Sequence, residues 1–265
     1  MGWFSNWFAR PVSFAGAGPA EDEHPLVSVK EHDEALAKVP AFAGGLWSAA
    51  TYKPAHPGRV GGSIAYKTLV VHTTDMMPEA FQALVTAWTN KAGNGACAHF
   101  LIGRDATQGT IQFVPITKNG NHAGGNPCGH YKLPTGALVH PNTVAIGVEL
   151  HGAGYLRFRG GAWLHTDSGR NVAASDVYID GRGRGFMAIT PYQLRVLETL
   201  ISDLGLPGLP EGSTISPDAS YDSQGVADFA SCKSPTVAGH VSLDPINRTD
   251  PGPQVMSWMR SKGFI

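Results

Sequence analysis

The sequence predicts an α/β (α+β) domain built on a mixed central β-sheet flanked by helices. Short apolar runs of strand length, Thr68–His72, Ala98–Arg104, Thr110–Pro115 and Val144–His151, alternate with helix-length segments whose apolar residues recur on one face. Two of the runs, 98–104 and 110–115, are separated only by Asp105 to Gly109, a hairpin spacing, so the sheet is not wholly parallel. The chain has 265 residues, 42% of them hydrophobic, which is ample material for a core.

Residues 1–60 read as an N-terminal extension, partly irregular, with room for one short helix between Glu21 and Lys38 and Pro- and Gly-rich stretches up to Gly61-Gly62. The main domain then spans 61–265. Within it, Thr68–His72 reads as a buried strand. Pro78–Asn90 reads as a helix with Phe81, Leu84, Val85 and Trp88 on one face. Val144–His151 is a near-continuous apolar strand interrupted by one carboxylate, Glu149. Thr190-Pro191 opens a helix that runs through Leu204, with Leu194, Leu197, Leu200 and Ile201 as its stripe and Gly205 as its stop. A last helix covers Gln254 to Lys262. Residues 152–186 and 206–236 read as long irregular connections of the kind that face a substrate.

A net charge of -1 supplies no field to draw the chain onto nucleic acid or an anionic membrane. No window approaches the 18 or so apolar residues of a membrane span. Asn6, Arg10 and Pro11 interrupt any signal-peptide core, so synthesis in the cytoplasm without a signal peptide is expected. Trp3, Phe4, Trp7 and Phe8 stand at helical spacing, for contact with a partner or membrane or for packing back on the domain. Cys97, Cys128 and Cys232 match neither a metal knuckle nor a redox pair; isolated thiols and a single disulfide both stay open. The sequence leaves the oligomeric state undetermined.

The stretch from Gly239 to Pro253 carries chemistry. It sets His240 and Asp250 ten residues apart, with Arg248 just before the carboxylate and prolines at 245, 251 and 253. Far upstream, the strand Leu69-Val70-Val71-His72 ends in a second imidazole. Two histidines and one carboxylate with an open fourth position is the ligand count of a catalytic zinc site. Each residue alone has a plainer reading: His72 as a structural histidine, Asp250 as a turn residue before Pro251-Gly252. Their joint occurrence is what points to a hydrolase.

Five blocks of the chain, in order, resemble one family. They are Val71-His72-Thr73-Thr74, Ala98-His99-Phe100-Leu101-Ile102-Gly103-Arg104-Asp105, Asn121-His122-Ala123-Gly124-Gly125, Ala145-Ile146-Gly147-Val148-Glu149-Leu150-His151-Gly152, and Gly239 to Pro253. The chain from about 64 to 260 looks like the zinc-dependent type 2 N-acetylmuramoyl-L-alanine amidases. That group includes phage lysozyme-type amidases and peptidoglycan recognition proteins. The resemblance implies their mixed-sheet fold and a Zn2+ ion held by His72, His240 and Asp250. It implies cleavage of the amide between N-acetylmuramic acid and L-alanine, with peptidoglycan or muropeptide fragments as partners. Glu149 is then general base and acid, against the alternative of a strand carboxylate paired with an arginine. Arg248 then stabilises the oxyanion.

Asn121, His122 and Thr73 fall where the family lines its substrate groove, although a structural role for His122 stays open. His99 reads as structural; His130, His140, His151 and His165 read as surface or supporting residues. Arg157, Arg159, Arg170, Arg182 and Arg184 stand either as partners for stem-peptide carboxylates or as a solvated basic loop. Two positions depart from common family patterns: Ala98 where some branches carry tyrosine, and Arg248 where many carry lysine. Arginine does not donate a proton at neutral pH, so proton handling falls to Glu149. The expected setting is an endolysin-type bacteriolytic enzyme acting on the cell wall after release. A cytoplasmic muropeptide-recycling amidase and a non-catalytic binding module are the alternatives.

Overall fold

A run such as Thr68-Leu-Val-Val-His-Thr73, with Leu69 and Val71 on one face and Val70 on the other, is stable only where a sheet is covered on both sides. The computed structural model of the chain places it second in a six-stranded sheet, paired on both sides, with its first five residues buried. The structure describes residues 41–90, 96–123, 130–152, 154–216, 236–243 and 250–265, all within the compact unit Val39–Ile265. The expected helix between Glu21 and Lys38, the aromatic N-terminus, Cys128, Cys232 and Arg248 lie outside the described residues.

In chain order the elements that position the site are β1 (Thr51–Tyr52), β2 (Thr68–Thr73), α1 (Phe81–Asn90), β3 (Phe100–Ile102), β4 (Thr110–Gln112) and β5 (Ala145–Leu150). There follow β6 (Tyr155–Arg159), β7 (Ala162–His165), β8 (Asn171–Val172), β9 (Val177–Ile179), β10 (Gly185–Met187) and α2 (Pro191–Leu204). The chain closes with β11 (Val237–Gly239), the short α3 (His240–Leu243) and α4 (Pro253–Ser261). The main sheet has the order β11-β2-β5-β3-β4-β1. Pairing is parallel from β11 through β3, antiparallel between β3 and β4, and parallel again to β1. The sheet is therefore mixed, and the close spacing of β3 and β4 produces the antiparallel pair.

Helices cover both faces. On one, Leu197, Leu200, Ile201 and Leu204 of α2 and Val255, Met256 and Met259 of α4 pack on Leu69, Val71, Phe100, Ile102, Ile146, Val148 and Leu150. Full burial of each such side chain contributes about 1.5–3 kcal/mol. On the other, Phe81, Val85 and Trp88 of α1 pack against Leu101, Ile111 and Phe113. The predicted start of α2 is a capping box: Thr190 and Gln193 exchange side-chain and backbone hydrogen bonds, Pro191 opens the helix, and Gly205 closes it at φ 50.

Three stretches differ from expectation. In place of an irregular connection over 152–186, the chain from Tyr155 to Met187 contributes the strands of a five-stranded antiparallel sheet, β8-β7-β6-β10-β9. In β6 only Leu156 is buried, while Tyr155, Arg157, Phe158 and Arg159 are exposed, so the strand carries little apolar signal among its arginines and glycine turns. Within 206–236, the strand Thr214–Ser216 pairs with His130–Lys132. Residues 41–60 contribute a small hairpin, Phe42–Ala43 with Leu46–Trp47, and β1 itself. Trp47 is buried, and its Nε1 donates to Asp203 at 2.7 Å.

Gln193 ties α2 to the strand ends that carry the site. Its side chain is fully buried, and Nε2 donates to the carbonyls of Ile102 (3.2 Å) and His151 (3.0 Å). Replacement by leucine keeps the volume but removes the side-chain donor from both carbonyls, leaving Ile102 only the His151 N–H at 2.9 Å, and takes the Oε1 acceptor from Thr190 N–H. Gln193→Leu is expected to lower folding stability by about 2–4 kcal/mol, measured by urea denaturation; a loss below about 0.5 kcal/mol contradicts this account.

Candidate metal centre

Residues paired across parallel strands project to the same face of the sheet. Glu149 of β5 pairs with His72 of β2, so an acid and an imidazole stand side by side on the face away from α2. On the other flank, Gly239 pairs with Val71, and the next residue, His240, leaves the sheet beside His72. Gly239 is required here: a Cβ would come within 2.4 Å of Met256 Sδ and 2.7 Å of Pro251 Cδ. Its absence lets the Asp250-Pro251 segment close on the strand, where Val241 N–H donates to the Asp250 carbonyl at 2.7 Å.

Three donor atoms converge as a result. His72 Nδ1 lies 3.0 Å from His240 Nδ1 and 3.3 Å from Asp250 Oδ2, and His240 Nδ1 lies 3.2 Å from the same Oδ2. Both imidazoles are buried. Mutual hydrogen bonding does not explain this triangle. If both imidazoles donated to Oδ2, their N–H groups would confront each other across 3.0 Å. Zinc bonds of roughly 2.0–2.2 Å at tetrahedral angles put ligand atoms roughly 3.2–3.5 Å apart, close to what is seen. The donor set therefore fits a divalent transition metal. Burial acts to raise the Asp250 carboxyl, but hydrogen bonds and charge from His240 and His72 outweigh it and hold the group well below the carboxylate range.

The remaining expected site residues are placed as follows. Glu149 is half-buried beside His72. Arg248 lies outside the described residues. Thr73 ends β2, half-buried, and Asn121 is exposed with its Oδ1 accepting from Asn142 Nδ2 at 2.9 Å. His122 is buried with both ring nitrogens engaged inside the protein: Nδ1 is 3.1 Å from His72 Nε2, and Nε2 is 3.1 Å from the Ala145 carbonyl. That leaves its ring no nitrogen to offer a substrate in this arrangement. Burial, then the nearby His72 and His99, depress its basicity well below the ordinary histidine value.

Two supporting residues carry no sequence signal. Asn142 accepts from the backbone N–H groups of His122 (3.1 Å) and Ala123 (2.8 Å). Asp75, at φ 51, accepts from Gly154 N–H at 2.8 Å and, through its carbonyl, pairs with His165 Nε2 at 3.2 Å; this ties the second sheet to the loop after β2. His151 is buried, with Nε2 against the Pro78 carbonyl at 3.0 Å. Cys97 is a buried free thiol pushed up to about 12, by burial first, with Arg59 lowering it and Glu149 raising it. Among the described residues, no helix is long and apolar enough to cross a membrane.

The chain matches, over residues 62–253, the family described as N-acetylmuramoyl-L-alanine amidase. No curated protein matches it in sequence. Among solved structures, a selenomethionine AmpD is similar at 19% identity and TM-score 0.46, over 84% of this chain and 98% of that one. The N-acetylmuramyl-L-alanine amidase AmiD from E. coli is similar at 21% identity and TM-score 0.43, over 74% of this chain and 59% of that one. AmpDh3 from Pseudomonas aeruginosa is similar at 18% identity and TM-score 0.45, over 77% and 61%.

The histidine expected to be structural has a measurable consequence. His99 is fully buried, its Nδ1 accepting from Gly147 N–H (3.0 Å) and its Nε2 donating to the Lys118 carbonyl (2.9 Å). Burial lowers it from 6.5 to about 4, partly opposed by the Lys118 bond. Between those values the unfolded chain binds the extra proton, so the His99 contribution to stability falls as pH drops from 6.5 to 4 and levels off below; the full depression corresponds to about 3 kcal/mol. Urea unfolding of chelator-treated protein at several pH values should show this slope, shallower by about one proton in His99→Asn. An equal slope in both proteins rules His99 out as its source.

Proposed function

The chain belongs to the N-acetylmuramoyl-L-alanine amidase family, and on that premise we propose that it is a zinc-dependent hydrolase of bacterial peptidoglycan. The bond cut is the amide between the lactyl group of N-acetylmuramic acid and the L-alanine of the peptide stem. The observation that carries the reading is the convergence of His72 Nδ1, His240 Nδ1 and Asp250 Oδ2 next to Glu149. His72, His240 and Asp250 would hold the zinc, which would supply Lewis acidity to a water and to the scissile carbonyl. Glu149 takes the proton of that water on its carboxylate and delivers it to the departing amine of L-alanine. Arg248, two residues before Asp250 in the sequence, serves as the electrostatic partner of the oxyanion and holds its own proton throughout.

Thr73 and Asn121 are the proposed substrate contacts. His122, with both ring nitrogens committed inside the protein, is left out of that set. The substrate we favour is the polymeric wall, in the manner of an endolysin. The second sheet leaves the end of β5 and exposes Tyr155, Arg157 and Arg159, a surface suited to sugar rings and stem carboxylates.

The purified chain is expected to hold about one equivalent of zinc and to release stem peptides from sacculi; His240→Ala should lose both properties, read by metal analysis and product chromatography. Glu149→Gln should keep the zinc and lose turnover by at least about a hundredfold. A fully active Glu149→Gln enzyme overturns its acid–base role. Turnover confined to soluble anhydro-muropeptides, with intact sacculi untouched, overturns the endolysin reading and supports a recycling amidase.

A further inference from the structure

We propose that His122, seated on Gly147, is a positioning residue that fixes the tautomer and aim of the metal ligand His72. The proposal rests on the reading of His72 as a ligand. Its origin is a backbone carbonyl. The Ala145 carbonyl only accepts, so the His122 Nε2 that lies 3.1 Å from it carries the proton. In a neutral ring Nδ1 then holds the lone pair. His72 Nε2, 3.1 Å from that Nδ1, must donate to it. The remaining nitrogen of His72, Nδ1, is thereby left with a lone pair. That is the atom 3.0 Å from His240 Nδ1 and 3.3 Å from Asp250 Oδ2. A relay of two hydrogen bonds thus decides which nitrogen of His72 is offered to a metal.

The ring of His122 is held for this task from two sides. Asn142 Oδ1 accepts from the N–H groups of His122 and Ala123 and fixes the backbone. Beneath the ring lies Gly147, two residues before Glu149 on the same face of β5. A Cβ at 147 would stand 2.3 Å from His122 Cγ and 2.7 Å from Cδ2, so no other residue leaves the ring its place. His99 and His72 flank it edge to face, with centroids 5.8 Å and 5.3 Å away.

Two substitutions separate relay from packing. In His122→Asn the side-chain oxygen falls near the old Nδ1 and still accepts from His72. In His122→Gln the amide falls near the old Nε2, serves the Ala145 carbonyl and leaves His72 Nε2 without its acceptor. Zinc affinity, measured by chelator competition, is expected to drop 10- to 100-fold in His122→Gln and to stay within a few-fold of the parent in His122→Asn. The visible spectrum of the cobalt-substituted protein should shift only in His122→Gln. Gly147→Ala supplies a second reading should His122→Gln fail to fold: it displaces the ring and should weaken zinc by a similar factor. Equal losses in the asparagine and glutamine variants, or unchanged affinity in His122→Gln or Gly147→Ala, overturn the relay alone. A parent protein that binds no zinc overturns the metal reading and the relay with it.

Discussion

The parallel pairing of β2 with β5 on one side and β11 on the other is the constraint on which the site depends. Because side chains alternate along a strand, a slip of one residue in either pair would turn Glu149 or His240 to the opposite face. The register Glu149 to His72 and Gly239 to Val71 is held by the apolar residues between them. Leu69, Val71, Ile146 and Val148 face α2 and α4, and shifting them outward would bury polar groups in their place. The packing of one face thus specifies the chemistry of the other. Gln193 reinforces the link, since it bonds the carbonyls of Ile102 and His151, where β3 and β5 end.

Where local chemistry decides structure, the sequence was readable. The apolar run ending in His72 and the helix start at Thr190-Pro191 depend on neighbours within a few residues, and the structure contains both; the histidine and carboxylate at 240 and 250 were marked by their spacing, and tertiary packing brings them together with His72. The second sheet was not readable for a local reason: its strands are short and its outward positions hold arginine, so their alternation resembles a polar loop. Trp47 and β1 were not readable for the opposite reason. Two residues make a strand there only because β4 supplies a partner some sixty residues later.

His122 shows how far apart a residue type and its role can be. The motif around it marks a histidine of interest, but nothing local says which way its nitrogens point. That depends on the carbonyl of Ala145, on the missing Cβ of Gly147 and on the amide of Asn142, all brought near by tertiary folding. Asn142 itself gives no signal at all, since an asparagine after Pro141 reads as an ordinary turn residue.

Burial explains why such control is needed. Charged groups in a low-dielectric interior are costly unless balanced, and an unpaired imidazole nitrogen carries its own penalty. Asp250 and Glu149 bring carboxylates to this face, and a divalent cation at the three converging atoms would offset their charge. Each further imidazole must then stay neutral. His99 does so between the Gly147 N–H and the Lys118 carbonyl, and His122 does so between Ala145 and His72. The histidines around the site are thus held as fixed dipoles, which lets the sheet carry a charged centre on a buried face without adding charge of its own.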